Sequence, residues 1–263
     1  MAINKYKKLI INKYLEYDEE TRLVSNRGHN VEFLTTMHYI QKFLKPSDKI
    51  LEIGAATGRY SIALAKMGYD ITAVDLVPQH VEKMRSKTRR LKNFKCITAD
   101  ALDLSIFEDK SFDMVLNLGP MYHLFNKKDK NQAIKETLRV AKKNAICMFA
   151  YIPCASFVTG NGLRHQGMSH LYAAMDNMGR IKDVPSEVFT CFYIEDFKKL
   201  FDKTSSKYVT NVATDGIAYA MQEWVEQLPK KDYEAFLRWH FMTCERLDQQ
   251  GYSTHLLYIC KKK

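Results

Sequence analysis

The stretch "ILEIGAATGRYS", Ile50 to Ser61, constrains the fold more than any other part of this 263-residue chain. An apolar run reads as a strand and breaks into Gly54-Ala55-Ala56-Thr57-Gly58. A helix-forming segment, "RYSIALAKMG", follows at once. Glycine lets the backbone turn tightly and lets a ligand approach where a Cβ would stand in the way. A strand that turns straight into a helix N-terminus is the opening unit of an α/β sheet, and such sheets bind ligands at the carboxyl ends of their strands.

The rest of the chain repeats the alternation. "DKILEIG", "YDITAVDL", "FKCITAD", "SFDMVLNLG" and "NAICMFAYIP" read as strands. Between them, "RYSIALAKMG" closes on Gly68, and "PQHVEKMRSKTRRL" opens on Pro78, where a missing N–H costs little. "KDKNQAIKETLRVAKK" places Ile134, Leu138 and Ala141 on one helical face. Alternating strands and helices imply a mostly parallel sheet covered on both faces. After Pro153 the pattern loosens, with a helix expected near Ser169–Asn177. "IEDFKKLF" then reads as a helix and "KYVTNVATDG" as a strand. "IAYAMQEWVEQLP" and "KDYEAFLRWHFMTCERLDQQ" read as amphipathic helices, and "STHLLYICKKK" as a last strand able to return antiparallel.

The first turn also says what it would hold. A dinucleotide fingerprint is G-x-G-x-x-G, but this turn is E-x-G-x-x-x-G, with Glu52 in place of the first glycine. A carboxylate there repels a pyrophosphate and suits a cation. Asp75, twenty-one residues after Gly54, ends the second strand, where an acid can accept hydrogen bonds from ribose hydroxyls. Asp100 follows the third strand, on the side suited to a base. Together these marks describe a nucleoside that carries a positive charge and no pyrophosphate, a description that S-adenosylmethionine (SAM) fits.

On these residues the segment 49–152 resembles the class I SAM-dependent methyltransferases. "ILEIGAATGRYSIALAKMGYDITAVDL" looks like their first motif with its acidic second strand. "TADALDL" looks like the adenine-side loop, and "FDMVLNLGPMYHL" like the fourth-strand motif. "RVAKKNAICMFAYIP" resembles the helix and fifth strand, with "AKKNA" where many members have a glycine turn. The resemblance implies a doubly wound, Rossmann-like α/β fold: a mostly parallel seven-stranded sheet with an antiparallel last strand, plus helical cap insertions. It implies SAM as cofactor. Glu52, Gly54, Ala55 and Gly58 would lie on its methionine side, Asp75 on the ribose, Leu76, Asp100 and Ala101 on the adenine, and Asn117 and Leu118 beneath the sulfonium.

In "NLGPMYHLF", Gly119 and Pro120 turn the chain sharply out of the fourth strand. Tyr122 and His123 are then the catalytic candidates. A histidine there could take the proton of an attacking hydroxyl or amine, or could simply shape the pocket. Arg27, His29 and Glu32 in the N-terminal extension, and Arg59 and Tyr60 at the first helix, are secondary candidates. His165 and His170, five apart, make a poor metal pair, so no metal is expected. Trp224, Trp239 and Phe241 read as the core of a cap.

The net charge of +10 is carried mostly by lysine. It fits a solvated helical surface, and also a nucleic-acid footprint. The six cysteines, Cys96, Cys147, Cys154, Cys191, Cys244 and Cys260, show no C-x-x-C spacing and read as reduced thiols. No run is apolar for long enough to span a bilayer, and the N-terminus lacks a signal-peptide pattern, so a cytoplasmic protein with no membrane partner is expected. The expected organisation is one domain: an N-terminal cap over 1–45, a SAM-binding core over 46–153, a cap insertion over 154–190, and C-terminal strands over 191–263 that carry a helical insertion at 217–250. The insertions are expected to converge on the strand ends and roof the site. The sequence reads best as an enzyme that moves a methyl group to a small-molecule acceptor by in-line displacement. An RNA methyltransferase and a SAM-binding protein without catalysis are the alternatives.

Overall fold

A computed structural model of the protein describes residues 5–16, 19–160, 163, 167–181 and 188–263. Two N-terminal helices, α1 (Lys5–Glu16) and α2 (Arg27–Phe43), precede the sheet. Asn26 caps α2 by accepting from the His29 amide, as a short polar N-cap side chain does. The alternating core then runs β1 (Lys49–Ile53), α3 (Arg59–Lys66), β2 (Asp70–Asp75), α4 (Pro78–Thr88), β3 (Phe94–Thr98), β4 (Phe112–Asn117), α5 (Lys127–Val140) and β5 (Ala141–Tyr151). Short helices α6 (Cys154–Phe157), α7 (Met168–Ala173) and α8 (Ile194–Lys199) lead to β6 (Ser206–Ala213). Helices α9 (Gln222–Gln227), α10 (Lys230–Thr243) and α11 (Leu247–Gln250) precede β7 (Leu256–Lys262).

The seven strands lie in the order β3-β2-β1-β4-β5-β7-β6. The pairings from β3 to β5 are parallel, and β7 runs antiparallel to both β5 and β6. Strand order reverses between β1 and β4, so their connections leave in opposite directions and open a crevice at the carboxyl edge. The central strands are buried: Ile50, Leu51, Ile71, Val74, Val115, Leu116, Met148 and Phe149 are sealed from solvent, whereas the edge strand β3 is partly exposed along its length. On the antiparallel side, Tyr151 stacks on Phe197 at 3.8 Å and Phe201 on Tyr258 at 4.1 Å.

Several expectations are corrected. The helix expected to run through Lys143 ends at Val140, and Ala141 already pairs with Phe112. The register then jumps to Met114↔Ile146, and Asn144 turns the backbone at φ 68 within the looped-out residues. Asparagine tolerates this left-handed conformation better than most residues, so it stands in for the absent glycine. Cys154 and Cys191 form a disulfide rather than two thiols, and their Cα atoms are 4.9 Å apart. Spacing could not reveal this pair: the cysteines are 37 positions apart in sequence, and the Pro153–Phe192 bridge brings them together. The segment over 217–250 does not reach the site. Its α9 packs on α2, and Trp224 (68% exposed) and Trp239 (42%) face solvent instead of forming a cap core. Among the described residues, no helix is long and apolar enough to cross a membrane.

Candidate active site

The turn after β1 is clipped to the neighbouring strand, because the Gly54 and Ala55 amides both donate to the Val74 carbonyl, at 2.9 and 3.0 Å. Gly54 sits at φ +76, and a Cβ on it would lie 2.6 Å from Pro120 Cδ. The exits of β1 and β4 therefore touch, and only glycine permits both the turn and the contact. Around this contact lies a pocket of about 380 Å³ along the carboxyl edge.

Most residues singled out in the sequence line this one pocket: Glu52, Gly54, Ala55, Arg59, Tyr60, Asp75, Leu76, Asp100, Ala101, Leu118, Tyr122 and His123. Gly58 does not. It starts α3 at φ +86, and an added Cβ would press on Met84 of α4. Asn117 does not line the pocket either. It is sealed from solvent, its Nδ2 donates to Thr137 Oγ1 on α5 at 3.1 Å, and its Oδ1 has no partner among the described residues. Arg27 turns away to the Leu228 carbonyl and the Tyr233 ring. His29 meets Ser25 Oγ and the Tyr219 ring. His165 lies outside the described residues.

Glu52 is 1% exposed, and Ser61 Oγ donates to it. Burial raises its carboxyl to about 7, against the stabilising effect of that hydrogen bond. Asp75 accepts from the Ala56 amide at 2.7 Å and the Val77 amide at 2.8 Å, and His80 Nδ1 stands 3.2 Å away. Asp100 accepts from the Leu102 amide at 2.9 Å and pairs with Lys7 of α1.

The sequence led to an N-terminal cap but not to the side chains by which it roofs the pocket. Tyr6, Lys7, Ile10 and Tyr14 of α1 line the pocket, as do Glu19, Arg22 and His80. Tyr6, Ile10 and Tyr14 are spaced four apart, one face of a helix, and this was the available signal. Tyr6 stacks on Phe125 at 5.6 Å, and the Tyr14 hydroxyl lies 2.9 Å from His123 Nε2. Arg22 donates to Glu32 through two nitrogens, at 2.8 and 3.2 Å, and to Glu19 at 3.1 Å. Burial would raise the Glu32 carboxyl, but the guanidinium beside it outweighs that and holds it at about 2. His123 goes the other way: burial lowers it to about 4, although its Nδ1 faces the Val188 carbonyl at 2.7 Å. A neutral imidazole whose Nε2 already meets a hydroxyl is a positioning group more than a free base.

A methyltransferase domain model matches residues 50–144. Residues 50–144 form a class I SAM-dependent methyltransferase domain. The chain is 31% identical over 150 residues to the demethylmenaquinone methyltransferase of Staphylococcus aureus, covering 54% of this chain and 60% of that protein. It is 30% identical over 91 residues to the rRNA adenine N-6-methyltransferase of Limosilactobacillus reuteri, covering 33% of this chain and 37% of that one. The chain thus spans less than two thirds of the length of these curated relatives. A SAM-dependent methyltransferase structure from Methanosarcina mazei shares the fold, with a TM-score of 0.56 at 18% identity, over 85% of this chain and 96% of that one.

SAM is the cofactor this methyltransferase domain implies, and the chemistry of the pocket fits it. Of the cations lining the interior, Lys7 is taken by Asp100, and Arg22 by Glu19 and Glu32. Arg59 is exposed and lies over the Phe33 ring. With Glu52 and Asp75 added, the lining is acidic inside a chain of net charge +10. Such a lining suits a ligand with positive charge and disfavours a polyphosphate.

Proposed function

We propose that this protein transfers a methyl group from SAM to a small-molecule acceptor. The observation that carries the reading is the roof. Helix α1 lies across the pocket and is tied down at both ends, by Lys7–Asp100 and Tyr14–His123. A pocket closed in this way admits a compact acceptor and not a duplex. The longer match to the demethylmenaquinone enzyme than to the rRNA enzyme supports the same reading.

In this reading Asp75 holds the ribose hydroxyls. Its two oxygens each accept one backbone amide and keep further lone pairs for a ligand. Leu76, Ala101 and Asp100 flank the base. Glu52, Gly54 and Ala55 border the methionine end, and Leu118 and Tyr122 lie beside the reacting centre. Bound SAM supplies a methyl group already activated on a sulfonium, so the protein's share is orientation and exclusion of water. The α1 roof performs the second task.

The test is release of S-adenosylhomocysteine from SAM with a panel of small amines, thiols and reduced naphthoquinones, run beside purified RNA at about 0.2 M salt, where non-specific phosphate contacts weaken steeply. Turnover with a member of the panel and none with RNA is expected. Label entering RNA at one defined nucleotide would favour the RNA reading. SAM binding without product from any acceptor would favour a non-catalytic binder.

A further inference from the structure

One phenol stands between two imidazoles in the pocket. Tyr14 of α1 meets His80 at 5.5 Å and His123 at 5.4 Å, edge-on to both rings, with interplanar angles of 71° and 82°. His80 contacts Asp75, at the end of β2. His123 lies just past the exit of β4. Tyr14 therefore bridges the ribose side of the pocket and the β4 side.

The hydrogen-bond chain fixes which way the Tyr14 proton points. His123 Nδ1 lies 2.7 Å from the Val188 carbonyl, and a carbonyl oxygen only accepts, so Nδ1 carries the ring proton. Burial keeps the second nitrogen unprotonated near neutral pH. Nε2 is therefore a lone pair, and the Tyr14 hydroxyl 2.9 Å away must donate to it. With its proton committed, the phenol keeps the lone pairs of its oxygen. Tyr14 and His123 both line the pocket, and among the described residues no other group hydrogen-bonds to that oxygen. A partial negative charge is thus left for the ligand.

We propose that Tyr14 makes the pocket favour a positively charged sulfonium ligand over its neutral thioether counterpart, with His123 as the positioning residue that keeps the phenol's lone pairs turned to the ligand. The assignment rests on the reading of the pocket as a SAM site. The physical basis is charge–dipole attraction, helped by weak contacts from the polarised C–H groups beside a sulfonium to the phenol oxygen. The thioether product has neither charge nor polarised methyl, so it gains almost nothing from the same oxygen. Such a device favours loading with the reactive form and release of the spent one.

Titration calorimetry with SAM and with S-adenosylhomocysteine, on the full chain, tests this without any acceptor. Tyr14→Phe keeps both ring contacts and removes only the oxygen. It is expected to weaken SAM about tenfold while leaving S-adenosylhomocysteine within about twofold. His123→Ala frees the Tyr14 proton, so it should lower the preference for SAM by a smaller factor. The double variant should show no more loss than Tyr14→Phe alone, because His123 acts through the phenol. A merely structural role would weaken both ligands alike, and that result overturns the proposal. An unchanged ratio in Tyr14→Phe also overturns it. Wild-type protein that binds neither ligand overturns the cofactor reading itself, and this assignment with it.

Discussion

Glu52→Gln should make the ligand-free protein more stable at alkaline pH while weakening its hold on a cation. The side chain ends β1, is 1% exposed and receives a hydrogen bond from Ser61. Its carboxyl is raised from an ordinary value of 4.5 to about 7, chiefly by burial. A carboxyl whose folded pKa exceeds its unfolded one binds a proton more tightly in the folded state. Its stabilising contribution is complete below pH 4.5 and is lost as pH rises through 7. At about 1.4 kcal/mol per pH unit, that window is worth about 3 kcal/mol. Glutamine cannot ionise, so the variant should escape the loss. Urea unfolding of both proteins at pH 5, 6, 7 and 8 reads this directly. The variant should gain on the wild type through the window and level off above it. Parallel stability curves would refute the argument, because they would mean that Glu52 ionises as easily folded as unfolded. Calorimetry supplies the other half: wild-type SAM affinity should rise with pH through 7, and the affinity of the variant should not.

Asp75→Ala should cost stability as well as ligand binding, because the Ala56 and Val77 amides lose their acceptor; a loss of about 2–4 kcal/mol, or about 1 M in urea midpoint, is expected without ligand, and an unchanged midpoint would contradict it. Reduction of the Cys154–Cys191 bond, or Cys154→Ser, reopens a loop with a sequence separation of 37 and should cost about 3–4 kcal/mol on the chain-entropy view; equal urea midpoints with and without reductant would show that the bond contributes nothing.

The sheet was legible because its information is local. Apolar runs ended by glycine, and helices opened by Pro78 or closed by Gly68, are decided within a few residues, and β1 to β5 form as their composition predicts. Legibility ended where distant parts of the chain decide. The half-turn around Asn144 is set by pairing with β4, and the Cys154–Cys191 bond by the Pro153–Phe192 bridge. The helix pattern in 217–250 was real, but periodicity does not say what a helix packs against. The partner is α2, with Trp224 and Trp239 left outside.

The site divides along a similar line. Motif spacing puts a residue at the right place along the chain but does not aim its side chain. Asn117 and Leu118 were both placed beneath the ligand, yet successive side chains in an extended segment point to opposite sides. Leu118 lines the pocket, so Asn117 faces α5 and Thr137. The roof residues could not be reached from the motif at all, because Tyr14 meets His123 across 109 positions of sequence. Total charge misleads for the same reason. The chain is +10, yet its pocket pairs Lys7 and Arg22 with carboxylates and adds Glu52 and Asp75 beside them. What a ligand meets is the local arrangement of charges, screened within about 10 Å by ordinary salt, and here its sign is opposite to that of the whole.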